Sequence, residues 1–79
     1  MKTNVKFPLP TRQYMRDQRW IVRNLADLTQ RYPRKWIAVH MGRVIAVANN
    51  LGQGRRRGED RVGDVEFPVY YMDDGDILL

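Results

Sequence analysis

The residues able to do chemistry are few, led by the carboxylates Asp73, Asp74 and Asp76 that follow Tyr71-Met72. Paired aspartates at a hairpin tip can hold two Mg²⁺ ions for nucleotidyl transfer, with a further aspartate from a distant strand. That chemistry needs a large scaffold to hold template and nucleotide, which a chain of 79 residues cannot build. The run also lacks the alternating ligands and closing Glu of a calcium loop, so a solvated acidic turn is expected and no metal site is assigned. The stretch Gly52-Gln53-Gly54-Arg55-Arg56-Arg57-Gly58 lacks the closing Lys-Ser/Thr of a phosphate-binding loop and misses GxGxxG spacing by one residue. No cofactor or nucleotide site is assigned there. His40 is the single histidine, and with neither serine nor cysteine in the chain no triad or dyad can be assembled. The protein is expected not to be an enzyme.

What remains is the chemistry of contact. Residues 1–57 carry 13 of the 14 Lys and Arg against Asp17 and Asp27, a net +11, while residues 58–79 carry Arg61 against seven carboxylates, a net −6. Such a basic body and acidic tail can pair internally, pair between copies, or face different partners. Eleven of the cations are Arg, the side chain suited to bidentate contact with carboxylate or phosphate. Arg12, Arg16, Arg19 and Arg23 step by four, three and four, which on a helix makes one stripe. Trp20 is expected beyond that stripe, away from the apolar face and within reach of Arg16 for cation–π stacking. Arg55, Arg56 and Arg57 are expected on a flexible loop able to grip a phosphate backbone or be balanced by Glu59 and Asp60.

The expected fold class is α+β, with an N-terminal arm and one long helix packed on a small antiparallel sheet built around a β-hairpin. Residues 1–10 read as the extended arm, since Pro8 and Pro10 restrict themselves and the residues before them, and Phe7 and Leu9 alternate along it. Residues 11–79 read as a single domain. Thr11 is placed to cap a helix over 12–32, which Pro33 ends. Strands are expected over 35–41 and 43–48, closing near Met41-Gly42, with Val39 opposite Val44 and Ile37 opposite Ala46. A glycine-rich loop with at most a weak helix is expected over 49–64, then a third strand over 65–72, where Pro68 favours an edge or a bulge. Tyr14, Ile21, Val22, Leu25, Leu28, Ile37, Val39, Val44 and Val69 are the expected core.

The stretch Tyr32-Pro33-Arg34-Lys35-Trp36-Ile37-Ala38-Val39, then Gly42-Arg43-Val44-Ile45-Ala46, resembles a family of small uncharacterised prokaryotic proteins. Their pattern runs close to YxGKWVAV and DGRVVASG, followed by a short helix and a final strand that begins at a proline. The Lys-Trp and Gly-Arg pairs and Pro68 carry the likeness, which covers about residues 32–72. Arg34, Met41 and Ala48 depart from the family's glycine, aspartate and glycine, and a Gly-Arg loop is expected where the family has its helix. The family is a domain of unknown function, so the resemblance implies a fold and no activity.

Both hairpin faces are apolar, and a single helix covers only one. The leading expectation is therefore a non-catalytic accessory or adaptor subunit that binds a larger protein or assembles with copies of itself. Phe7, Leu9, Trp20, Trp36, Ile45 and Val47 are its expected contacts. The alternative is a basic nucleic-acid-binding module using Arg12, Arg16, Arg19 and Arg23 with Arg55, Arg56 and Arg57. No signal peptide or membrane span is read from the N-terminal residues, no small-molecule substrate is evident, and a cytoplasmic setting is expected.

Overall fold

The computed structural model describes residues 11–73, and the Phe7–Leu9 arm, Asp74, Asp76 and Ile77–Leu79 lie outside them. Thr11 is the cap expected of it: its side-chain oxygen accepts from the Tyr14 N–H at 3.1 Å, filling a donor that the first helical turn cannot. Helix α1 (Arg12–Arg23) follows. The single helix expected over 12–32 is interrupted at Asn24, which has φ −109° and ψ 18°. Its side chain donates to the Trp20 carbonyl at 2.8 Å, competing for an acceptor of the helix ladder. Helix α2 (Leu25–Arg31) then runs to Tyr32, just before Pro33.

Strands β1 (Lys35–His40), β2 (Arg43–Ala48) and β3 (Val69–Met72) form an antiparallel sheet in the order β2-β1-β3. Met41 (φ 55°) and Gly42 (φ 72°) close the hairpin, both in the left-handed region that a two-residue primed turn requires. Val39 faces Val44 as expected, but an irregularity between Ala38 and Val39 shifts the rest, so that Ile37 faces Val47 rather than Ala46. β3 is an edge strand, as Pro68 favours, and is shorter than the expected 65–72. Pro68 has no N–H to give; its carbonyl accepts from the Val39 N–H at 3.1 Å.

The largest departure is residues 49–64. The expected loop is helix α3 (Leu51–Val62), capped by Asn50, whose side chain accepts from the Gln53 N–H at 2.8 Å. Its glycines are the means of packing. Gly54 and Gly58, one turn apart, are buried and carry no side chain where the helix meets the sheet. A Cβ at Gly54 would lie 3.0 Å from Val69, and one at Gly58 would lie 2.5 Å from the Phe67 ring and 3.3 Å from the Ala38 Cβ.

The sheet thus has a helix layer on each face. Ile21 and Leu28 pack with Ile37, Val39 and Met72 on one side, and α3 packs with Ala38 and Ala48 on the other. This corrects the expectation that the hairpin's second face is bare. Trp36 is half-buried beneath α3 with its ring 5.4 Å from that of Tyr71, and Val47, on the other face, packs against the α1–α2 core. Ile45 is half-buried and borders a groove with Arg57 and Arg61. Of the expected core, Ile21, Leu28, Ile37 and Val39 are buried and Tyr14, Val44 and Val69 half-buried. Val22 and Leu25 are exposed, at 66% and 44%. The buried line of the two helices runs through Asp17, Ile21 and Leu28, and at about 100° per residue Val22 and Leu25 fall to one side of it.

Candidate functional site

Asp17 fixes the site's frame. It sits mid-α1 with 1% of its surface exposed, a position a carboxylate holds only when hydrogen bonded. Its Oδ2 accepts from the Met41 N–H at 3.1 Å, and its Oδ1 accepts from the Gly42 N–H at 3.0 Å and from Gln13 Nε2 at 3.2 Å. Both left-handed residues of the hairpin turn are therefore tied to α1 through one side chain. His40 closes the group. Its Nδ1 is buried without a hydrogen bond and stands 3.8 Å from Asp17 Oδ2, an electrostatic neighbour rather than a bonded one.

The clamp brings Gly42 against Trp20, whose indole Cδ1 and Nε1 would lie 3.9 Å from a Cβ at that position. Trp20 does not stand clear of the core as expected; it is half-buried and packs against the α1–α2 core cluster. Two clefts share Trp20 and Gly42. One, of about 300 Å³, is lined by Gln13, Arg16, Arg19 and Arg23 together with Asp17. The other, of about 320 Å³, is lined by Asn24, Arg31, Tyr32 and Arg43 together with Asp27, Leu28 and Val44.

The arginines around these clefts are exposed. Asp27 pairs with Arg31 at 3.2 Å and Asp17 is consumed by the turn, so no ion pair among the described residues engages Arg12, Arg16, Arg19 or Arg23. No acceptor among the described residues takes the Trp20 Nε1–H. The first cleft therefore presents donors and positive charge at its rim, the chemistry of an anion site.

The remaining expected contacts do not join this group. Arg55, Arg56 and Arg57 lie on α3, which packs on the opposite face of the sheet; none of them lines the clefts around Trp20, although grooves join Tyr14 to Arg55 and Tyr32 to Arg57. Arg57 Nη1 donates to the Val47 carbonyl at 2.8 Å and so ties α3 to β2. Arg55 borders a separate groove with Tyr14, Glu59 and Glu66. Asp17 is the residue that sequence reasoning missed: as one of two acids among 13 cations it counts only as charge, and its signal is the unfilled N–H groups of the Met41-Gly42 turn. Sequence reasoning also missed the exposure of Met15 and Val22, which share a groove between α1 and β3 with Arg19, Arg23 and Tyr70, and of Leu25 beyond them.

No group of three His, Asp or Glu able to hold a metal occurs among the described residues, and no helix among them is long and apolar enough to cross a membrane. Fold and site together define a small α+β protein with a three-stranded sheet between helices and a basic, tryptophan-centred surface. Comparison of the chain with family models, curated proteins and solved structures finds no match.

Proposed function

We propose that this protein is a non-catalytic nucleic-acid-binding module whose contact surface is the outer side of α1 and the hairpin turn. The observation that carries the reading is the distribution of charge. Residues 12–43 hold eight cations against Asp17 and Asp27, a net +6, whereas residues 51–66 hold four cations against four anions. The surplus falls on the side of α1 and the hairpin, where Arg16, Arg19 and Arg23 rim a cleft. Phosphate contact is worth most where cations have no internal ion pair, as at Arg16, Arg19 and Arg23, and shed bound counterions on binding. The setting is taken to be the cytoplasm, in keeping with a cysteine-free chain.

Fluorescence anisotropy with a labelled oligonucleotide tests this. The intact chain binds, and a variant carrying Arg16→Glu, Arg19→Glu and Arg23→Glu does not, while keeping its circular dichroism. These side chains are exposed, so their reversal leaves the core in place. Equal binding by both proteins, or by neither, removes the proposal.

A second reading, an accessory subunit that binds a larger protein, is favoured by the exposed Met15, Val22 and Leu25. Exposed apolar side chains gathered beside one groove are a feature of contact surfaces. Affinity purification from the native cell after nuclease treatment separates the two readings. A protein partner lost from a Met15→Glu, Val22→Glu double variant supports this one, and a partner that persists argues against it.

A further inference from the structure

The two clefts differ in chemistry, and the difference specifies a ligand. The Arg16–Arg19–Arg23 cleft supplies cationic donors, whereas its neighbour is lined by the aromatic residues Trp20 and Tyr32 with Asn24, Arg43 and the Asp27–Arg31 pair. They meet at the Trp20 side chain and at Gly42, a position where any side chain would narrow the gap beside the indole. A phosphodiester matches the first and the face of a nucleobase matches the second. In a duplex the base faces are covered by their neighbours, so only an unpaired strand offers both groups together. The Asp17 clamp holds this junction rigid by anchoring the turn that carries Gly42 to the helix that carries Trp20.

We propose that the paired clefts around Trp20 bind a short stretch of single-stranded nucleic acid, successive phosphates against Arg16, Arg19 and Arg23 and one base against Trp20 and Tyr32. This rests on the nucleic-acid reading above and narrows it to unpaired strands. Three probes separate the contributions: a short oligothymidylate, a duplex of equal charge, and inorganic polyphosphate, which has the charge and no bases. The oligothymidylate binds the full chain about five- to a hundredfold more tightly than polyphosphate of equal charge, the range that one stacked base gives. It also moves the ring C–H signals of Trp20 upfield in the spectrum of the isotope-labelled, unmutated protein, as stacking on a base does, whereas polyphosphate, which reaches the indole N–H alone, leaves those ring signals in place. Tyr32→Leu, which keeps an apolar group against the core, removes the preference for oligothymidylate and leaves polyphosphate binding intact. Equal affinity for all three probes, with Trp20 unmoved, overturns the single-strand assignment and leaves backbone binding standing. Binding of none of them overturns both.

Discussion

At the scale of the residue, Asp17 shows how a charge becomes part of a core. Its two oxygens take three hydrogen bonds, two from the backbone of a turn whose own N–H groups have no other partner among the described residues. Asp17→Ala strands those donors and is expected to cost about 2–4 kcal/mol, read as a lower urea midpoint at unchanged slope. Asp17→Asn keeps one acceptor and costs less. An alanine variant as stable as the parent would show that the turn does not need the clamp. Tyr14 gives a second test. Burial first, then Tyr70 and Glu66, push its phenol above the ordinary 10.0, with Arg55 opposing. The unfolded chain then loses this proton at lower pH than the folded one. Stability from the neutral phenol is complete below about pH 10 and falls as pH rises toward the folded value. Tyr14→Phe should flatten that alkaline decline in urea midpoints, and an unaltered pH profile would refute the assignment.

At the scale of the element, α3 turns on glycines that weaken a helix and yet let it dock. Gly52 has only the Asn50 side chain near, 3.6 Å from an added Cβ, so Gly52→Ala should gain about 0.5–1 kcal/mol from helix propensity. Gly58→Ala gains the same propensity but sets a methyl 2.5 Å from the Phe67 ring, and overpacking of about 1–3 kcal/mol wins. Thermal melting of the two variants should move in opposite directions, and two upward shifts would mean that Phe67 yields freely. The same glycines explain what was legible in the sequence. Thr11, Pro33, the Met41-Gly42 turn and the alternating strands are local signals, and each was readable. Gly52, Gly54 and Gly58 are also local signals, but for a loop, and the meaning of Gly54 and Gly58 as a smooth helix face depends on how Ala38, Ala48, Phe67 and Val69 pack against them in the folded sheet. The stripe Arg12–Arg23 was readable from spacing alone. That Trp20 joins two clefts was not, because Asp17 brings Gly42 to it across 25 residues of chain.

At the scale of the whole molecule, the sheet acts as a partition between a basic side and an electrically balanced one. α1 and the hairpin carry the surplus, while Arg55, Arg56 and Arg61 on α3 share their surface with Glu59, Asp60, Asp64 and Glu66. The partition predicts how binding responds to salt. A single strand that releases counterions from three phosphate contacts gives a slope of log affinity against log salt of about −2, at roughly −0.7 per contact. Were α1 and α3 to bind the same strand, the cations of both would count and the slope would steepen to about −4 or beyond. A titration series over monovalent salt therefore reports the geometry as well as the charge. Replacing Arg55 and Arg56 by Gln should leave the shallow slope unchanged, because neither lines the clefts around Trp20. Replacing Arg16 and Arg23 by Gln should reduce its magnitude by about 1.4. A slope that responds equally to both pairs would mean that the strand wraps the sheet edge and that the partition does not set the binding surface.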